Sequence, residues 1–463
     1  MSTSEFDKYK VDHLFLLIGE NPLPNYVAAM LLLNKGGTPY LVCTSGTDKS
    51  AERLQTILSN ELIGFQTAIL VPLKENESDA FQVQEAIGEK LEEIKDGKIG
   101  LHYTGGTKAM SVHSYRKLFY EKPDKNKDYY TKRSNLVFSY LDPRRLEMCI
   151  DREEGERDRI KVTPAMLAVK LSEVFEIHGW VWKSDPIDSP QLSEAAQAFA
   201  EFHEEGELVQ LWRNWCNDIL REQTRNKDNK DKWLNKTNLE KVSPLILEMV
   251  QSQPKIVKAL SQLGVTGENL SLQPIKEQAI AKAKTKKIEK FKFELENVCK
   301  WLDGEWLEHY VLQQVQAIAK ELDIHDSATS FWIKDPNSKN TKFQFDVAFI
   351  RGYRLFAISC TTSTDKSLCK SKLFEAYIRA QQLGGSEARV ALVCCVSNED
   401  KDGEGKKKYT KDALETEILN VLNPTPESGK RDYRLVVFGR EDLINLSEKI
   451  TEWIRNVDKE TNE

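Results

Sequence analysis

The sequence has little of what staples a small or secreted scaffold together. Its 463 residues include only eight cysteines and no CxxC pair, so neither a disulfide framework nor a paired-cysteine zinc site organises the chain. Cys43, Cys360, Cys394 and Cys395 lie in apolar, strand-like stretches, where cysteine behaves as a small buried hydrophobe. Long apolar runs are also missing. Tyr26 to Leu33 and Arg389 to Val396 are typical, well short of the roughly 20 apolar residues of a membrane span. The opening MSTSEFDKYKVDHLFLLIGE has no cationic stretch leading into a long apolar block, so no secretory signal is read, and a cytoplasmic protein without a membrane partner is expected. Nor does one sign of charge dominate: 66 basic against 72 acidic residues leave −6. A uniformly cationic coat is excluded, and any polyanion site must be concentrated locally.

What is present suits a chain of about three domains at roughly 150 residues each. The expected boundaries are 1–160, 161–300 and 301–463. The first part alternates strand and helix: His13 to Ile18, then the helical Tyr26 to Leu33; Tyr40 to Cys43, then Lys49 to Asn60; Thr67 to Val71, then Asp79 to Ile94; and Ile99 to Tyr103, then Ala109 to Tyr120. That rhythm predicts a doubly wound, Rossmann-like α/β domain whose ligand site lies at the carboxyl ends of the strands. There the sequence reads Thr104-Gly105-Gly106-Thr107-Lys108 between a strand and a helix. Glycines admit close backbone approach, first-turn amides point outward, and Lys108 adds a positive charge, which together suit a phosphate. A Walker A loop is excluded because Thr107, not Gly, precedes Lys108. Gly19-Glu20-Asn21 and Thr44-Ser45-Gly46 end strands of the same sheet, so three polar loops converge on one edge.

From Val162 to Lys300 the pattern is helical with no clear strand, and Trp180, Trp182, Trp212, Trp215 and Trp233 stand among many charges. A connector whose tryptophans pack against neighbours is preferred, since aromatic platforms for nucleic acid are usually sheet-borne. Seven lysines against Glu277 and Glu289 between Ile275 and Lys292 make either a solvated helix face or a phosphate-tracking surface. The last part returns to α/β: an amphipathic helix Asp303 to Leu322, strands Phe343 to Ile350 and Tyr353 to Thr361 joined at Arg351-Gly352, a helix Ser367 to Leu383, and further strands at Arg389 to Val396 and Arg434 to Phe438.

Gly19-Glu20-Asn21-Pro22, followed by Tyr103-Thr104-Gly105-Gly106-Thr107-Lys108-Ala109-Met110, resembles the CARF domain of CRISPR-associated effectors. Together with Trp306-Leu307-Glu308, Phe345-Asp346-Val347 and Lys370-Ser371-Lys372-Leu373-Phe374-Glu375, it is similar to the subfamily that joins this sensor to a PD-(D/E)xK, restriction-endonuclease-like domain. The resemblance covers about the first 150 residues and Trp301 onward. It implies a homodimer that binds cyclic oligoadenylate, with the tetra-adenylate as the expected ring, through Gly19, Glu20, Asn21, Thr44, Ser45, Thr104, Gly105, Gly106, Thr107 and Lys108. It also implies a Mg²⁺- or Mn²⁺-dependent endonuclease acting on DNA, RNA or both in type III CRISPR antiviral defence. The competing ribonuclease domain uses R-x4-6-H, and neither His309 nor His325 has the arginine.

The resemblance has a departure. The family's E-x-K on the second strand is Ser359-Cys360-Thr361 in this chain, and hydroxyls cannot neutralise Mg²⁺ as a carboxylate does. Either the charges have moved or the domain is catalytically silent, which would leave a cyclic-oligoadenylate-binding regulator. A relocated centre is expected: Glu308 and Asp346 for metal, Lys372 or Lys366 for the water and the developing charge, Glu375 as a spare carboxylate, and Ser359 and Thr361 nearby. Phe343, Phe345, Val347 and Phe349 are expected on one strand face, with Gln344 and Asp346 on the other.

Overall fold

The computed structural model describes residues 5–121, 131–151, 157–184, 186–230, 232–244, 253–267, 270–286, 292–334, 342–399, 410–422 and 433–460. The first part runs β1 (Val11–Leu17), α1 (Leu23–Leu32), β2 (Leu33–Cys43), α2 (Asp48–Leu58), β3 (Ile69–Pro72), α3 (Ala80–Glu93), β4 (Ile99–His102) and α4 (Lys108–Phe119). A short pair, β5 (Tyr120–Glu121) and β6 (Thr131–Lys132), precedes β7 (Leu136–Asp142), β8 (Glu147–Asp151) and β9 (Arg157–Lys161). The sheet has seven strands in the order β3-β2-β1-β4-β7-β8-β9. Its first five are parallel, and β8 and β9 close it antiparallel. Leu14 to Ile18 are all buried because a parallel strand is covered on both faces.

The dense mixture of charges from Asp151 to Arg159 reads as an exit from the sheet, yet β8 and β9 flank it and stay in the sheet. Alternate residues explain this: Met148, Ile150 and Ile160 are buried, while Glu147, Asp151, Arg159 and Lys161 alternate with them on the other face of an antiparallel edge.

The middle holds α5 (Leu171–Ile177), β10 (Val181–Trp182), α6 (Ser193–His203) and α7 (Gly206–Trp215). The last of these continues as a π-helical segment, Cys216–Arg221, into α8 (Glu222–Thr224). Then come α9 (Lys236–Val242), α10 (Pro254–Ser261), α11 (Gln273–Thr285) and α12 (Leu295–Lys300). Trp212, Trp215, Trp301 and Trp306 share one buried cluster with Phe199 and Phe202, so these tryptophans are core rather than a stacking surface. Contrary to the strandless pattern expected here, β10 pairs with the second sheet.

After a π-helical segment, Trp301–Glu305, the chain forms α13 (Trp306–Ile318), β11 (Ile324–Lys334), β12 (Lys342–Arg351), β13 (Arg354–Thr361) and α14 (Lys366–Gly384). β14 (Arg389–Cys394), α15 (Lys411–Leu422), β15 (Leu435–Phe438) and α16 (Leu446–Glu460) complete it. The sheet runs β10-β11-β12-β13-β14-β15, antiparallel up to the β12–β13 hairpin and parallel beyond it.

Strict alternation fails in β12. Phe343 and Phe345 join one apolar cluster with Ala348 and Ile350, whereas Val347 and Phe349 join another. The faces exchange at Asp346, opposite Ser330, whose φ of 54° breaks the ladder with β11. A carboxylate therefore sits at an irregularity in the sheet.

Candidate functional sites

The strand order of the first sheet reverses at β1: the chain moves outward through β2 and β3, then returns to β4 on β1's other side. This switch point opens a crevice between the loops after β1 and β4, where Gly19 and Thr104 to Lys108 lie. The loops touch. A Cβ on Gly105 would fall 2.3 Å from the Leu17 carbonyl oxygen, and one on Gly19 would lie 3.2 Å from the Gly106 amide nitrogen. Asn25 fastens the turn by donating from Nδ2 to the Leu17 carbonyl at 2.8 Å.

Thr107 caps α4 by accepting from the Met110 amide at 3.2 Å. No acid stands in the first turn of that helix. Lys108 is exposed there and has no ion-pair partner among the described residues. A lysine at the positive end of a helix, with no acid to answer it, favours an anion.

The other expected ligand residues divide. Glu20 and Ser45 are exposed at the strand ends; Ser45 donates its amide to the Lys74 carbonyl, and Thr44 donates its own to the Thr47 hydroxyl at 3.0 Å. Thr104 turns toward β7, accepting from the Leu141 amide at 2.6 Å. Asn21 turns toward the rest of the chain. Its Oδ1 accepts from the Leu23 amide at 3.0 Å and lies 3.1 Å from His178 Nε2, and its Nδ2 abuts Gly385, where a Cβ would fall 2.3 Å away.

Between the two sheets lies α5. Arg53 of α2 donates to the Ile177 carbonyl at 3.3 Å, and on the other side Phe175 stacks on Phe345 with ring centres 6.0 Å apart. The loop holding Asn21 thus touches the ends of α5 and α14; Phe175 of α5 packs on Phe345 beside Asp346, and Lys372, earlier in α14, reaches Asp346 itself.

Around Asp346 the second sheet builds a polar centre. Its Oδ2 accepts from the Ser359 hydroxyl at 2.9 Å, the Cys360 amide at 2.7 Å and the Lys372 ammonium at 3.1 Å. All three donors use that one oxygen, which leaves Oδ1 available. Lys372 also donates to the Cys360 carbonyl at 2.9 Å. Burial alone would lower the ammonium's pKa, but the Asp346 and Glu308 carboxylates outweigh it and hold the group above its ordinary value.

Glu308, 8% exposed, accepts from the Ser330 hydroxyl at 2.5 Å. Desolvation first, then the charges of Asp346 and Glu305, push its carboxyl well above the usual range. Glu305, one helical turn earlier, is raised to about 7, chiefly by burial. Asp346, Ser359, Lys372 and Glu375 line a cavity of about 320 Å³.

Lys366 points elsewhere, pairing with Glu417 of α15 at 2.9 Å. Thr361 accepts from the Ser363 amide at 3.2 Å and lines a separate cavity. Glu305 and Ser330 were not picked out from the sequence. The i, i+3 spacing of Glu305 and Glu308 was a usable signal; the backbone turn at Ser330 had none.

The carboxyls fit a divalent cation, because the charges of Asp346 and Glu305 help to raise Glu308, and an added positive charge relieves that repulsion. Among the described residues no three His, Cys, Asp or Glu side chains form a ligand group. An ion held by Glu308 and Asp346 would therefore complete its shell with water and substrate, as Mg²⁺ commonly does.

The basic stretch resolves in part. Lys282 pairs with Glu194 at 2.5 Å and Lys276 with Glu294 at 3.5 Å, while Lys287, Glu289 and Lys290 lie outside the described residues. No helix among the described residues is long and apolar enough to cross a membrane.

Residues 14–150 match the family described as the Card1 CARF domain. Comparison with curated proteins gives no match. Among solved structures, protein VC1899 from Vibrio cholerae is 15% identical over 96% of this chain and 98% of that one, with a TM-score of 0.62. Can2 from Sulfobacillus thermosulfidooxidans, solved in complex with cyclic tetra-adenylate, is 14% identical over 96% and 99%, with a TM-score of 0.60. At such identities the likeness is one of fold, and it spans nearly the whole chain. The amino-terminal sheet of this chain, with its switch-point crevice and glycine turn, has a Rossmann-like fold, and it is this part that matches the CARF family.

Proposed function

We propose that this protein is a cyclic-oligoadenylate-activated, metal-dependent nuclease of type III CRISPR antiviral defence, acting as a homodimer. The observation that carries the nuclease half is Lys372 set 3.1 Å from Asp346 in a cavity beside the buried Glu308. This pairing supports reading the site as a PD-(D/E)xK centre whose lysine has moved from the strand to the following helix. The sensor half is supported by the CARF domain and by the complex of the similarly folded Can2 with cyclic tetra-adenylate. A ring of adenylates carries one charge per phosphate, and two copies of the Gly105–Lys108 turn would grip it about a two-fold axis.

Glu308 and Asp346 would hold Mg²⁺ or Mn²⁺; when bound, the ion lowers the pKa of its water and offsets charge gathering on the phosphorus. Lys372 stands where it stabilises that charge and keeps Asp346 oriented. Ser359 and the Cys360 amide fix the same carboxylate from the strand side. Activation would follow from ligand shifting an existing equilibrium. The route is short: the loop holding Asn21 contacts His178 and the end of α14, and α14 carries Lys372.

Purified protein given cyclic tetra-adenylate and Mn²⁺ is expected to cut single-stranded or supercoiled nucleic acid, and Asp346→Ala is expected to abolish cutting while retaining activator binding. Absence of cutting with every divalent ion, alongside tight activator binding, would instead identify a silent regulatory protein.

A further inference from the structure

We propose that Arg213, with Arg221 and the hydroxyls of Thr361 and Thr362, forms a subsite for a backbone phosphate of the polynucleotide next to the one being cut. This rests on the nuclease reading and adds to it the grip on the substrate strand. Ser359 and Thr361 share one face of β13, separated by two residues, or about 6.6 Å of strand. Ser359 lines the cavity with Asp346 and Lys372, whereas Thr361, two residues further along the strand, lines a second cavity of about 120 Å³. The separation is on the scale of a single nucleotide, so a strand with one phosphate at Lys372 brings the next to Thr361.

The wall of the second cavity comes from the connector. Arg213 on α7 and Asn217 and Arg221 on the π-helical segment face Thr361, Thr362 and Ser363 across it. Arg221 is held in place: its Nε donates to both Asp303 oxygens, at 2.9 and 3.0 Å, and its Nη1 to Asn217 at 2.7 Å. Asp303 also takes Arg225, so one acid answers two of the three arginines.

Arg213 is different. It is half-buried, its Nη1 donates to the Thr364 hydroxyl, and no carboxylate pairs with it among the described residues. A guanidinium has five N–H donors in a planar fork suited to phosphate. Here most remain uncommitted beside hydroxyls that can add donors. Contacts of this kind position a nucleic acid without reading its bases. The ligand expected is therefore a phosphodiester of either DNA or RNA.

The test measures binding of a labelled single-stranded oligonucleotide by fluorescence anisotropy, with cyclic tetra-adenylate present and EDTA preventing cleavage, over a series of salt concentrations. Cleavage is followed separately with Mn²⁺. Arg213→Gln is expected to weaken binding about tenfold and to make the slope of log K against log salt shallower by about 0.7, the signature of one lost phosphate contact on a single strand. Arg213→Lys should restore the slope, and Lys449→Gln, on the exposed face of α16, should change nothing.

An oligonucleotide with a neutral methylphosphonate beside the scissile linkage should bind the unaltered protein as weakly as the normal strand binds Arg213→Gln. The variant should not distinguish the two strands. If the unaltered protein cuts while Arg213→Gln keeps full affinity and slope, the subsite is wrong and the nuclease reading stands. If inorganic phosphate competes with the activator but never with the oligonucleotide, the subsite is likewise wrong. If the unaltered protein neither binds nor cuts nucleic acid, both readings fall.

Discussion

At the end of the first sheet an anion would meet backbone amides, glycines and one exposed lysine, whereas in the second sheet a cation would meet buried carboxyls already too close to share their charge comfortably. The first arrangement stores little energy: Lys108 and the first turn of α4 stand in solvent, and a ligand adds interactions without removing a penalty. The second is strained before anything binds, since Glu308 and Glu305 are held above their ordinary range by burial and by neighbouring carboxylates, Asp346 among them. A crevice of the first kind suits a sensor, which must release its ligand. A centre of the second kind suits catalysis, where perturbed groups are the working parts.

Four measurements would break or sharpen this contrast. The largest effect is expected from Lys372→Ala. Losing the cation bonded to Asp346 should lower kcat about a hundred- to a thousandfold, with activator affinity by calorimetry unchanged. An unaltered kcat would reduce this lysine to a structural tie. Gly105→Ala should do the reverse. Its methyl group would meet the Leu17 carbonyl at 2.3 Å, so activator affinity should fall at least about tenfold, while Mn²⁺ binding by the other site stays as it was. Normal activator affinity in that variant would remove the glycine turn from the ligand site.

A smaller change is expected from Asn21→Ala, which severs the contact with His178 and Gly385. Activator should still bind, but the stimulation of cutting by activator should drop about tenfold, within the usual range of coupling between sites; equal stimulation would show that the two regions communicate by another path.

The mildest effect concerns pH. Glu305 titrates at about 7 in the folded protein against an ordinary 4.5. The native state therefore keeps a proton that the unfolded chain has released. Stability from this group is complete below about 4.5 and is lost as pH rises through 7. The melting temperature of metal-free protein should fall across that window, Mn²⁺ should reverse the fall, and Glu305→Gln should flatten it. A profile in Glu305→Gln as steep as in the unaltered protein would place the strain on other groups.

The two regions also differ in how far their sequences disclosed them. The glycine turn was legible because Gly105 and Gly106 answer a local backbone demand and sit at the boundary of a strand and a helix. Lys372 could be named as a candidate beside Lys366, but nothing local separated the two. Only the turn of α14 sends Lys372 to Asp346 and Lys366 to Glu417. Asn21 was legible as a loop residue, but its direction was not, because its partners lie 157 residues away at His178 and farther still at Gly385.

By itself, then, the order of amino acids determined the alternating elements of the first sheet, the crevice at its edge and the two carboxylates of the second, since these depend on periodicity and on residues close in the chain. It left undecided what depends on how distant segments pack. The face exchange at Asp346, the burial that raises Glu305, and the meeting of Arg213 with Thr364 each join surfaces that sequence separation keeps apart. Their energies arise from excluded water and converging charge, which exist only once the helices have closed over the sheet.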